Sequence, residues 1–257
     1  NEKSMSWLDV DLTLNKVANG LHEIDLGPER RVAVFAENSM ETAMANLGGL
    51  IGGASVVPIN FHLTAEEVAY ILENSGTRVL FLGPETKERG IKAANIAGVK
   101  IVIGWDISEV SNDLISWEDW LSDSKDEEPP LGLKPLPNLL YTSGTTGRPK
   151  GTNLPPTMFA AGDTIEEHLE NLKLSPNVGL GPHLVVGPMY HTGPLSGARL
   201  LAAGVNSVIL GKFDAEDDSN VVITKPLTIA MGPKGAAFQT FTVTGDSESN
   251  VHFRSDK

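Results

Sequence analysis

Eleven residues, Tyr141-Thr-Ser-Gly-Thr-Thr-Gly-Arg-Pro-Lys-Gly151, carry the densest chemistry in the chain. Thr142, Ser143, Thr145 and Thr146 bring four hydroxyls, and Lys150 brings a point positive charge. Gly144, Gly147 and Gly151 let the backbone turn sharply and approach a ligand closely. Hydroxyls, backbone amides and one ammonium around a bend suit a polyphosphate. The bland alternative is a polar turn joining a strand to a helix, and the crowding of hydroxyls and glycines argues against it. The loop is not the G-x-x-x-x-G-K-[ST] of common NTPases. Counted from Gly144, Pro149 stands where the second Gly belongs and Gly151 where the Ser/Thr belongs. A phosphotransferase or NTPase is therefore weakly supported. No G-x-G-x-x-G follows the first strand, and around Ser196 the chain reads Gly193-Pro-Leu-Ser-Gly197 rather than G-x-S-x-G.

The elements that must position this loop alternate along the chain. Leu14, Val17, Ala18 and Leu21 recur at helical spacing. Arg31–Phe35 is a short β-branched run that reads as a buried strand. Ser39 can cap a helix through Leu50, and Val56–Pro58 suggests a second strand. Thr64-Ala-Glu-Glu67 is a capping box, followed by the apolar stripe Val68, Ile71 and Leu72. Arg78–Leu82, Lys100–Ile103, Asn138–Tyr141, His183–Val186 and Ser207–Leu210 read as further strands. Helices are expected over Glu85–Ala97, Pro155–Leu172 and Pro194–Ala203, so the loop is expected to open a helix. The predicted fold class is α/β, with mainly parallel sheets and helices on both faces. The expected domains are a first α/β subdomain over 1–121, an acidic linker over 122–135, a second α/β subdomain carrying the loop over 136–216, and an atypical tail over 217–257.

Composition narrows the partners. The chain has 257 residues, with 20 Lys and Arg against 33 Asp and Glu, a net charge of −13. That deficit of cations argues against nucleic acid and against anionic membranes. There are no cysteines, which excludes disulfides, thiolate metal sites and a cysteine nucleophile. No apolar run is long enough to span a bilayer, and no leader pattern opens the chain, so a cytoplasmic location is expected. His22, His62, His168, His183 and His252 lack the paired spacing of a zinc site, so no metal ligands are expected. The acidic stretch 106–130 reads as a solvated connector, with an acidic binding surface as the alternative, and Trp117, Trp120 and Leu121 could form one face of a short helix within it.

The stretch YTSGTTGRPKG resembles the phosphate-binding signature of the adenylate-forming superfamily, the AMP-dependent synthetases and ligases. Pro188-Met-Tyr-His-Thr-Gly193 is similar to that family's Pro-x-Phe-His-x-x-Gly segment beside the acyl pocket. Arg31–Asn38, Gly53–Asn60 and Thr64–Tyr70 are similar to its early strands and helix. The resemblance covers about residues 8–216 and is closer to acyl-CoA synthetases than to amino-acid adenylation domains. It implies an incomplete N-terminal region of such an enzyme. The implied reaction is ATP-dependent conversion of a carboxylic acid, of fatty type, to an acyl-adenylate and then a coenzyme A thioester. It implies that Thr142, Ser143, Gly144, Thr145, Thr146, Gly147 and Lys150 hold the ATP phosphates, with Mg²⁺ accompanying ATP. It also implies that Tyr190, His191 and Gly193 border the acyl and CoA channel, although His191 could simply pack beside Tyr190.

The family's aromatic-Gly-x-Thr-Glu segment, which stacks adenine and supplies a Mg²⁺-binding Glu, has no counterpart in these 257 residues. Thr244-Gly-Asp246 and Phe253–Lys257 resemble the ribose-binding and hinge motifs, which would place ribose contacts at Asp246 and Arg254. The plain alternative for Phe241–Asp246 is a strand followed by a turn. Catalytic residues are not identifiable. The alternative to a working ligase is a truncated relic that folds and at most binds nucleotide.

Overall fold

The computed structural model describes residues 4–107, 114–142, 148–155, 160–211, 227–231 and 239–243. The chain divides into two compact units, Asn1–Asn171 and Leu172–Lys257.

The first unit is built on a five-stranded parallel sheet in the order β2-β1-β3-β4-β5. Its strands are β1 (Arg31–Phe35), β2 (Ser55–Ile59), β3 (Val79–Leu82), β4 (Ile101–Gly104) and the short β5 (Ile115–Ser116). All residues of β1, β2 and β3 are buried, and apart from Arg31 and Ser55 at the strand starts they are apolar. Helices α1 (Trp7–His22) and α2 (Met40–Ile51) pack together, as do α3 (Ala65–Ser75) and α4 (Lys87–Ala97). Alternate strand residues split between the faces. Ala33, Phe35, Val57, Ile59, Leu80 and Leu82 join Val68, Ile71 and Leu72 of α3 and Ala93 and Ala94 of α4 in one core. Phe81 points the other way and meets Trp117 and Trp120 edge-on. Each such side chain contributes about 1.5–3 kcal/mol on full burial.

The predicted caps are present. Ser39 accepts from the Thr42 amide at 3.0 Å. Thr64 and Glu67 form both halves of a capping box, with the Thr64 amide donating to Glu67 at 2.9 Å. Trp117 and Trp120 lie on α5 (Trp117–Asp123), with Trp117 buried against Trp105. In the acidic stretch that follows, Lys125, Asp126, Glu127 and Glu128 are exposed. The backbone there is nonetheless tied down. Asn19 donates to the carbonyls of Lys125 (3.0 Å) and Glu127 (2.8 Å), and Asn15 to that of Asp126 (3.2 Å).

The expected strand–loop–helix around the hydroxyl-rich loop is corrected. β6 (Leu139–Thr142) pairs antiparallel with β7 (Lys150–Asn153), so the loop closes a hairpin rather than opening a helix. Among the described residues, helix α6 (Ile165–Lys173) takes up the C-terminal half of the helix expected over Pro155–Leu172. Gly162 at φ +106°, a backbone that L side chains rarely adopt, interrupts the expected Pro155–Leu172 helix, and residues 156–159 lie outside the described residues.

The second unit carries a four-stranded sheet in the order β11-β10-β8-β9. β8 (His183–Val185) lies parallel to β9 (Ser207–Ile209) and to β10 (Leu227–Met231), and β11 (Gln239–Val243) is antiparallel to β10. Helix α7 (Thr192–Ala198) runs directly into a 3₁₀ turn at Arg199–Ala203 and packs on β8.

Candidate functional site

The register of the hairpin decides what its mouth can hold. Leu139 pairs with Asn153, Leu140 with Thr152, Tyr141 with Gly151 and Thr142 with Lys150. Leu139 and Tyr141 pack on the α3–α4 core, which leaves the last pair, Thr142 and Lys150, exposed at the mouth. Directly opposed residues of an antiparallel pair share a face, so one hydroxyl and one ammonium project side by side. Ser143, Gly144, Thr145, Thr146 and Gly147 lie outside the described residues.

The hairpin is held at three levels. At its base, Arg31 donates to Ser55 and, at 3.3 Å, to Asn153 of β7, while Ser55 donates to the Pro137 carbonyl at 2.5 Å. Arg31 is buried, which lowers its pKa, with Glu29 opposing the shift. Midway, Tyr141 donates to Asn74 Oδ1 at 2.7 Å. Burial, with Tyr70 adding to it, pushes the Tyr141 phenol up to about 12, so it remains a donor at neutral pH. Near the mouth, Tyr70 donates to the Pro149 carbonyl at 3.2 Å, and the Arg148 guanidinium lies 5.0 Å from the Tyr70 ring centroid. Tyr70 stands in a family-like segment of the sequence, but nothing there marks this role for it, or for Asn74, Arg148, Arg31, Ser55 or Asn153. Their only sequence signal is that Tyr70 and Asn74 stand four apart on one helix face.

The remaining expected residues fall in the second unit. Tyr190 is half-buried and its ring lies 4.3 Å from that of His191. His191 is the exposed N-cap residue of α7 and makes no side-chain capping bond. Gly193 follows in the first turn. Beneath this helix, His183 is buried and its ring presses against Gly197. Desolvation holds the His183 imidazole below its ordinary pKa. Asp246 and Arg254 lie outside the described residues. Among the described residues, no group of three His, Cys, Asp or Glu side chains could hold a metal ion, and no helix is long and apolar enough to cross a membrane.

The sequence matches the AMP-binding enzyme family over residues 1–232. The chain belongs to that family. Fatty acid–[acyl-carrier-protein] ligase ScoC of Streptomyces coeruleorubidus is 35% identical over 162 residues, 62% of this chain and 30% of ScoC. Surfactin synthase subunit 1 of Bacillus subtilis is 29% identical over 151 residues, 59% of this chain and 4% of that protein. The inhibitor-bound N-terminal domain of FACL13 from Mycobacterium tuberculosis superposes with a TM-score of 0.63 at 24% identity, covering 85% of this chain and 53% of that one. This last likeness is one of fold, an α/β architecture shared with that N-terminal domain. The AMP-binding chain thus spans about half of that structure and less than a third of these two relatives.

Proposed function

We propose that this AMP-binding family chain serves ATP-dependent activation of a carboxylic acid. A carboxylate oxygen attacks the α-phosphorus of ATP, the bond to the β-phosphate breaks, and acyl-adenylate and pyrophosphate form. The thiol of coenzyme A then attacks the acyl carbon, releasing AMP and a thiol proton. The observation that carries this reading is the exposed Thr142–Lys150 pair at the mouth of a hairpin fixed to α3, within the family-like signature. Thr142, Ser143, Gly144, Thr145, Thr146, Gly147 and Lys150 hold the β- and γ-phosphates and offset charge on the leaving pyrophosphate. Tyr190, His191 and Gly193 border the acyl and CoA channel, and Asp246 and Arg254 contact the ribose. Mg²⁺ would arrive with ATP, and because the described residues offer it no acidic cluster, no step is assigned to it. The acid is of fatty type and the setting cytoplasmic.

The test is carboxylate-dependent exchange of labelled pyrophosphate into ATP. Exchange with fatty acids is expected. Pyrophosphate binding without exchange leaves a chain that binds nucleotide only, and acid-independent ATP hydrolysis makes it an NTPase. The likeness to ScoC favours a second acceptor, the pantetheine thiol of an acyl carrier protein. Supplying CoA or holo-carrier protein to the preformed acyl-adenylate distinguishes the two thiols.

A further inference from the structure

We propose that Tyr70 is a positioning residue for Lys150, acting through the two residues that precede it. This rests on the phosphate-binding reading above. Tyr70 engages the segment twice: its ring lies under the Arg148 guanidinium and its hydroxyl donates to the Pro149 carbonyl. The pyrrolidine ring already fixes φ at Pro149. The hydrogen bond to its carbonyl fixes the remaining freedom, the orientation of the planar peptide joining Pro149 to Lys150. The direction in which Lys150 leaves the backbone is thereby set before any ligand arrives. Arg148, stacked on the ring two residues before Lys150, loses part of its rotamer freedom.

Tyr70 itself stands on a rigid base. Helix α3 is closed at its start by the Thr64–Glu67 capping box and buries Val68, Ile71 and Leu72. One turn after Tyr70, Asn74 takes the Tyr141 hydroxyl, so the same helix face grips both β6 and the residues leading into β7. A lysine held in this way gives up less freedom when phosphate binds, and the affinity gain is one of pre-organisation.

The experiment titrates inorganic pyrophosphate, up to millimolar concentration, into the 257-residue chain and its Tyr70→Phe, Tyr70→Leu, Lys150→Ala and Tyr70→Phe/Lys150→Ala variants, with a thermal melt of each. Tyr70→Phe keeps the ring and loses the hydroxyl, and is expected to weaken binding about 3- to 10-fold. Tyr70→Leu is expected to weaken it roughly 2- to 5-fold further. In the Lys150→Ala background, Tyr70→Phe is expected to change nothing, a coupling that a purely structural tyrosine would not produce. Unchanged affinity in Tyr70→Phe overturns the proposal. So does an equal loss with and without Lys150. Failure of the unsubstituted chain to bind pyrophosphate at all is a separate result, which removes the phosphate reading and this inference with it.

Discussion

Thr142 on β6 and Lys150 on β7 are direct cross-strand partners, and both are exposed. The pairing puts a hydroxyl and a cation on one face at the mouth of a seven-residue loop. A strand–loop–helix would offer amides from the helix start instead. The hairpin offers side chains in a fixed register, so the identity of each residue at the mouth matters individually.

Lys150→Ala is expected to remove a charge-assisted contact of about 1.5–3 kcal/mol, roughly a 10- to 150-fold loss of pyrophosphate affinity. The melting temperature should hardly move, because the side chain is exposed. Equal affinities in the two proteins would remove Lys150 from the site.

Ser55→Ala is expected to lower stability by about 1–3 kcal/mol, since Arg31 Nη1, in a buried side chain, and the half-buried Pro137 carbonyl both lose the Ser55 hydroxyl, while Arg31 keeps Asn153. A urea titration reads this as a shifted midpoint. No shift would mean that water takes the hydroxyl's place at the base of the hairpin.

Gly197→Ala is expected to destabilise the second unit by about 1–3 kcal/mol through overpacking. An added Cβ would come within 2.1 Å of His183 Nε2, against a ring that is itself buried. Combining it with His183→Ala should cost less than the sum of the single changes, because the space is then open. Additive losses would contradict the packing described.

Stability should fall in mild acid through His183. Its folded pKa is depressed by burial, so the unfolded state binds the proton more readily. The residue's contribution is complete above its ordinary value of about 6.5 and is lost as pH drops below it toward the depressed folded value. Comparing denaturant midpoints at neutral pH and in mild acid, the parent should lose more than His183→Gln. Parallel losses would show that other groups carry the acid sensitivity.

Much of the first unit was legible because its signals are local. Arg31–Phe35 is buried throughout and reads as a strand, and Thr64 and Glu67 cap α3 as their spacing predicts. The hairpin is hidden in the sequence for an equally local reason. Lys150-Gly-Thr-Asn153 is exposed at every position, so it lacks the apolar alternation that marks a half-buried strand. It is a strand only because β6 offers it a partner. The grip of α3 on the hairpin was invisible for a different reason. Tyr70 and Pro149 are 79 residues apart, and Asn74 and Tyr141 are 67 apart. On the helix alone, Tyr70 and Asn74 look like ordinary members of an amphipathic surface.

The acidic stretch after α5 exposes its charges while Asn15 and Asn19 hold its carbonyls. Side-chain identity and residue count are therefore under different constraints there. Any of Lys125, Asp126 or Glu127 can be exchanged without touching the bonds, because it is the backbone that is read. A single inserted residue would move all three carbonyls out of step with the two asparagines, which sit one helical turn apart. Over time such a segment should drift freely in charge while keeping its length.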